Sequence, residues 1–302
     1  MASATTEFVG DSGRKYIIQR TLLDNGSPDS CVYLATTGDE KVILKSVIKD
    51  SFSDMQDVYA KLRDHAMFVY QHLDDHLLNL AQKGLPLGGA KKILKDVLRG
   101  LIAMHEQNIV RTDVKPDNVL VNFDKTDSSI SVGKVRLADL EDSAYVPEGS
   151  YILGFRAGNY MWRSPEAHMK GPVQKPHDMF SFGLVCIYAV FNIVLMSVGD
   201  HEQGEDAVIR AILEHQVSYF GDNDGVQGLY NQLDVGNPWG EIWADICRGF
   251  AHETPRMVRK PLSLMKDIDV EFKDLLGKLT HLDPTKRISA KEALAHTWFA
   301  DV

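Results

Sequence analysis

The chain has 302 residues, with 44% hydrophobic and 25% charged side chains, the balance of an ordinary soluble protein with one large domain or two lobes. Its formal net charge of −9 excludes nucleic acid and anionic membrane as main partners, because both attract basic surfaces. Three widely spaced cysteines (Cys31, Cys186 and Cys247) form no CxxC pair, which disfavours a zinc site or a disulfide framework and fits free thiols in a reducing compartment.

Residues 1–14 read as a flexible tail with no secretory signal, since neither a basic nor an apolar stretch is present. Three strand-like runs follow, Lys15–Leu22, Ser30–Thr37 and Lys41–Val47, joined by turns rich in Gly, Asn, Asp, Ser and Pro. That pattern predicts an antiparallel meander. Phe52–Asp64 carries Met55, Val58, Tyr59 and Leu62 at the spacing of one helical face, and Ala66–Tyr70 reads as a strand. Leu77–Gln82 and Ala90–Gln107 are amphipathic helices, and Asn118–Asn122 and Val135–Ala138 are short apolar runs around an Asp-Ser turn. Met179–Gly199 carries no charge and raises the question of a membrane span. Its Ser, Gly and Asn content favours a helix buried in a large core, with Asp178 as N-terminal cap. Ala207–Tyr219 is a further amphipathic run. Trp239 and Trp243 fit a core better than a docking surface. Strands first and helices later imply an α+β fold, with a small antiparallel-sheet lobe and a large helical one.

The segment Ile109–Val121 places a carboxylate (Asp113), an ammonium (Lys115) and an amide (Asn118) within six residues, between a helix and an apolar strand. Phosphoryl transfer needs such a set: a carboxylate to orient a hydroxyl, a cation for phosphate and an oxygen ligand for Mg²⁺. The bland alternative is a polar loop.

Arg111-Thr-Asp-Val-Lys-Pro-Asp-Asn118 resembles the catalytic loop H-R-D-x-K-x-x-N of eukaryotic-type serine/threonine protein kinases. Further segments follow in that family's order. Leu137-Ala-Asp-Leu-Glu141 stands where D-F-G belongs, and Gly158–Glu166 where the activation segment ends. Asp178-Met-Phe-Ser-Phe-Gly183 resembles the family's buried central helix, and Leu282–Arg287 its last subdomain. The resemblance implies a bilobal fold with an N-lobe at 15–71 and a C-lobe at 72–302. It implies Asp113 as catalytic base, Lys115 as γ-phosphate contact, Asn118 and Asp139 as Mg²⁺ ligands, and a Glu166–Arg287 ion pair. It also implies ATP held by Lys45, Val32, Leu73 and Leu120, with a hinge at Tyr70–Leu73. The implied partner is a protein substrate, met by a monomer in the cytoplasm or nucleus, with no membrane and no nucleic acid. Small-molecule phosphotransferases share the metal loop but lack the later segments, and no P-loop pattern occurs.

Several positions depart from the family's pattern. The phosphate-covering glycines are Asn25, Ser27 and Ser30, with Gly26 and Asp29 nearby, and Ile43 replaces a small residue against adenine. Glycines let backbone N–H groups approach phosphate, so this loop should grip weakly. Leu140 and Glu141 replace the Phe and Gly of D-F-G, so Glu141 and Asp142 add two carboxylates near the metal, either spare ligands or, as the favoured reading, solvated charges. Arg111 and Thr112 replace the His and Arg of H-R-D. That Arg normally receives an activation-segment phosphate, so activity should not depend on phosphorylating Ser143, Tyr145, Ser150 or Tyr151. Between Lys45 and Gln71 there is room for the helix but not for both of the family's further strands. The helix offers Met55, Asp54 and Asp57 in place of the glutamate that pairs with Lys45. Three readings follow: an active kinase, a pseudokinase serving as a binding module, and a truncated form of an active kinase.

Overall fold

Alternation of apolar and polar side chains along the N-terminal runs sets the first unit of the structure. The computed structural model describes residues 7–10, 12–24, 31–47, 66–126, 130–199, 204–252, 258–264 and 268–302. The chain divides after Leu73 into two compact units.

In the first unit, β1 (Glu7–Val9), β2 (Lys15–Asp24), β3 (Cys31–Thr37), β4 (Glu40–Val47) and β5 (Ala66–Gln71) form one antiparallel sheet in that order. The β3–β4 register sets Ala35 opposite Val42 and Tyr33 opposite Leu44. A period of two sends these four to one face, where they pack with Tyr16 and Phe8. The same register sets Val32 opposite Lys45 on the other face. Glu7–Val9, expected within a flexible tail over 1–14, is instead a strand paired with Lys15–Ile17. Two contacts hold it: Phe8 packs onto the sheet's core, and Glu7 pairs with Lys15 at 2.8 Å. The helix expected over Phe52–Asp64, with Asp54, Met55 and Asp57, lies outside the described residues, as do Asn25, Gly26, Ser27, Asp29 and Ser30. β5 pairs directly with β4, from Val42–Gln71 to Val47–Ala66.

The second unit is mainly helical. β6 (Asp75–His76) leads into α1 (Leu77–Gln82), where the His76 ring accepts from the Asn79 N–H. α2 (Leu87–Glu106) buries Ile93, Leu94, Val97, Leu98 and Leu101, three and four residues apart, along one face. Beyond it come β7 (Ile109–Val110) and the hairpin β8 (Val119–Lys125) and β9 (Ile130–Leu137), with β6 alongside β8. β10 (Ala144–Tyr145) returns to pair with β7. The remaining helices are α3 (Pro165–His168), α4 (Lys175–Phe191), α5 (Glu205–Phe220), α6 (Asn223–Gln232), α7 (Trp239–Ala251), α8 (Val270–Leu279) and α9 (Ala290–Leu294). The architecture is α+β, with an antiparallel sheet first and helices after.

α4 is the centre of this unit, with residues 177–189 all buried. It begins with Pro176 in its first turn and ends at Asn192, whose φ of 55° is left-handed. Among the described residues, no helix is long and apolar enough to cross a membrane. Asp178 is not its N-cap. That position belongs to Gln174, and Asp178 lies one turn inside the helix, fully buried. Proline fixes the helix start earlier than the apolar pattern alone indicates.

Trp239 and Trp243 both lie on α7 and are buried, so they belong to the core and not to a docking face. The Trp243 indole N–H donates to the Val226 carbonyl at 3.2 Å. Trp243→Ala should therefore lower stability by about 3–5 kcal/mol in urea unfolding, whereas Val235→Ala, at a fully exposed side chain, should leave it unchanged.

Candidate active site

The site in the helical unit is organised around the buried carboxylate of Asp178. The backbone N–H groups of Arg111 and Thr112 donate to it at 2.8 and 2.9 Å, and the His105 ring lies 2.8 Å away. A carboxylate only accepts, so His105 Nε2 carries the proton. The Thr112 carbonyl lies 2.8 Å from His177 Nε2, so that nitrogen also carries a proton. His177 Nδ1 lies 2.7 Å from the Ser164 hydroxyl. These contacts hold both faces of the loop that starts at Arg111.

Asp113 follows directly and is almost fully buried. Lys115 Nζ lies 2.9 Å from its Oδ2, Asn118 Nδ2 donates to it at 3.0 Å, and the Asn159 N–H donates to Oδ1 at 2.8 Å. Burial pushes the Asp113 carboxyl up. The hydrogen bonds from Lys115 and Asn159, and the charges of Lys115 and Arg111, outweigh burial and hold it below the usual aspartate value. Lys115 behaves as the mirror case: burial lowers its pKa, but Asp113, Asp117 and Asp139 raise it overall. Both groups are charged at neutral pH.

The approach of Asn159 to Asp113 depends on Gly158. That residue has a φ of +75°, and a Cβ there would lie 2.3 Å from the Thr112 carbonyl oxygen. Only glycine fits.

β8 and β9 carry the other two ligand candidates to the same place. Val119 opposes Leu137, and the Ala138 N–H donates to the Asn118 carbonyl at 2.9 Å, so the Asn118 and Asp139 backbones are neighbours. The Asn118 side-chain nitrogen is engaged by Asp113, which turns its oxygen the other way. Asp139 is left-handed, at φ 57° and ψ 54°, and opens a 3₁₀ turn over Leu140–Asp142. Position 141 is therefore helical, and Glu141 takes the place of a glycine without requiring a positive φ. Arg111 is fully buried, and its Nη2 donates to the Ala138 carbonyl at 2.7 Å.

An amide oxygen and a carboxylate are hard donors that suit Mg²⁺. Among the described residues no cluster of three histidine, cysteine or acidic side chains forms a metal site alone.

The segment after Asp142 is tied down along its length. β10 pairs with β7, Ile152 bridges to Val173, and Gln174 Nε2 donates to the Ser150 carbonyl at 2.6 Å. Arg156 meets Glu205 at 2.6 Å and Asp206 at 3.1 Å, and its guanidinium lies over the Trp239 ring at 5.4 Å. At the segment's end, Glu166 and Arg287 form a fully buried bidentate pair, at 2.7 and 2.8 Å.

In the first unit, Val32 and Lys45 are cross-strand partners, and Ile43 shares their face two residues along β4. Leu73 ends that unit. Leu120 lies on β8 opposite Arg136 and His76.

The model of the protein kinase domain family matches residues 11–299. The chain belongs to the protein kinase domain family. Among its relatives are Cyclin-dependent kinase 4 of Xenopus laevis and Cell division control protein 2 homolog 3 of Trypanosoma brucei brucei. The first is 29% identical over 239 residues and the second 29% over 242, each match covering 77% of this chain. The match covers 65% of the length of the Xenopus protein and 68% of the trypanosome protein.

This kinase domain brings Asp113, Lys115, Asn118 and Asp139 together, and Glu166 onto Arg287. Asn159, Ser164 and His177 carry site contacts that the motif reading assigned to no role. Asn159 contributes a backbone N–H to Asp113, which its side-chain type does not announce. Asp178 was legible as a motif position but not as the acceptor for Arg111 and Thr112.

Burial pushes the Glu166 carboxyl up, and the charge and hydrogen bonds of Arg287 more than reverse this, holding it below its ordinary value of 4.5. A depressed native pKa means the pair's contribution is present above the unfolded value and is lost as pH falls through the native one. Glu166→Gln leaves Arg287 buried without its counter-charge and should cost about 3–5 kcal/mol at pH 7. In denaturant titrations at several pH values, the gap from wild type should narrow below pH 4.5.

Proposed function

We propose that the protein is an ATP- and Mg²⁺-dependent serine/threonine kinase that transfers the γ-phosphate to protein hydroxyl groups. The observation that carries this reading is the buried Asp113 carboxylate, held ionised by Lys115 and Asn159 beside Asn118 and Asp139. Its charge and fixed aim suit it to accept a hydrogen bond from a substrate hydroxyl and take its proton as the oxygen attacks phosphorus. The bond between the γ-phosphorus and the bridging oxygen breaks, and ADP leaves. Lys115 takes the charge on the γ-phosphoryl oxygens.

Lys45 is assigned the α- and β-phosphates, and Val32, Leu73 and Leu120 the adenine. Asn118 and Asp139 would hold the Mg²⁺, which when bound neutralises charge on the phosphoryl oxygens. One relative, Cyclin-dependent kinase 4, is named as a kinase, and Lys45, Asp113, Asn118 and Asp139 are all present, so a binding-only module is the less favoured reading. An intracellular setting fits the three free cysteines.

The test is Mg²⁺-dependent transfer of label from γ-labelled ATP to the protein itself or to myelin basic protein. Asp113→Asn should reduce the rate by at least about 100-fold, the scale of a lost general base. Equal rates for wild type and Asp113→Asn contradict the assignment.

A further inference from the structure

Thr112 occupies a backbone conformation that its side chain disfavours. Its φ is 62°, and the Asp113 N–H reaches across it to the Arg111 carbonyl at 2.9 Å, a γ-turn of the rare, strained kind. A β-branched residue is poorly suited to positive φ, where glycine sits without penalty. The contacts that impose the conformation, Asp178 with the N–H and His177 with the carbonyl, use backbone atoms alone and would serve any residue.

What threonine adds is its hydroxyl. Oγ1 donates to the Asp142 carbonyl at 2.6 Å, in a position only 2% exposed. Asp142 closes the 3₁₀ turn that Asp139 opens. The other side of that turn is gripped independently, because Ala138 accepts from Arg111 and donates to Asn118. Asp139 therefore sits between two fixed points, one on each side along the chain.

We propose that Thr112 is a positioning residue, whose hydroxyl holds the Asp139 carboxylate in register with Asn118 for a divalent cation. This rests on the reading of Asp139 as a cation ligand. Without the hydroxyl, the turn loses its direct tie to the Arg111–Asn118 loop at Asp142, and the carboxylate is aimed less narrowly at the cation. Backbone strain kept at a functional site fits this account, since the strained residue supplies a contact that glycine does not.

The test is equilibrium binding of Mn²⁺ to the full chain in the presence of a non-hydrolysable ATP analogue, read by electron paramagnetic resonance, with melting temperatures measured alongside. Thr112→Gly relieves the positive φ and removes the hydroxyl. Thr112→Val keeps the branched shape and removes only the hydroxyl, and Thr112→Ser keeps the hydroxyl. The Gly and Val variants should bind Mn²⁺ about tenfold more weakly, the scale of one lost buried hydrogen bond, while Ser stays within about twofold of wild type. A purely structural role makes Thr112→Gly melt no lower and bind Mn²⁺ as wild type does. Wild-type affinity in a folded Gly or Val variant overturns the proposal, and so does a Ser variant as weak as Val. Asp139→Asn separates the two readings. If it leaves Mn²⁺ affinity unchanged, Asp139 is not a ligand and both readings fall; if it weakens binding while Thr112→Val does not, only the positioning role falls.

Discussion

Asp178 is a carboxylate with no exposed surface, and a charge in that position is tolerable only because three donors converge on it. Two of them are consecutive backbone N–H groups, those of Arg111 and Thr112. A single side chain on the central helix therefore fixes the path of the loop just ahead of Asp113. Lys115, Asn118 and Asn159 then find Asp113 in one place, and the β8–β9 pairing brings Asp139 beside Asn118. The chemistry depends on long-range hydrogen bonds to a rigid helix more than on the loop's own preferences.

Around this anchor, the altered motif positions are accommodated locally. Glu141 stands where a glycine is usual, yet its backbone is helical and the left-handed residue is Asp139. Arg111, buried in place of a histidine, makes a hydrogen bond to Ala138 that fixes the chain just before Asp139. The segment over 143–163 is held by a β-bridge, a short strand pair and the Arg156 ion pairs. These contacts order it through groups already in the chain. Glu166 and Arg287 close its far end in a pair whose charges are both withdrawn from water.

The α+β class, the helix at Leu77–Gln82 and strands β2 to β5 of the first sheet were legible because they rest on local periodicity and turn chemistry. The apolar character of α4 was legible too, but not its start, since Pro176 and Gln174 set the first turn ahead of the hydrophobic run. Glu7–Val9 escaped notice because its order comes from pairing with Lys15–Ile17 and from Phe8 reaching the sheet's core. Asp113, Lys115, Asn118 and Asp139 stood out through their spacing. Asn159 did not, because it acts through a backbone N–H that every residue except proline carries. Thr112 looked like the loss of an arginine, and its hydroxyl contact with Asp142 spans 30 residues.

The central claim is that Asp178 holds the catalytic loop in a reactive geometry. Its most direct test is the turnover number of Asp178→Asn, measured on protein that retains a cooperative melting transition. Asparagine turns an N–H₂ group toward one of the donors that the carboxylate served, so the loop must shift. A displacement near 1 Å is enough to lower kcat by about 100-fold, and that loss is the predicted result. A folded Asp178→Asn protein with wild-type kcat would contradict the account.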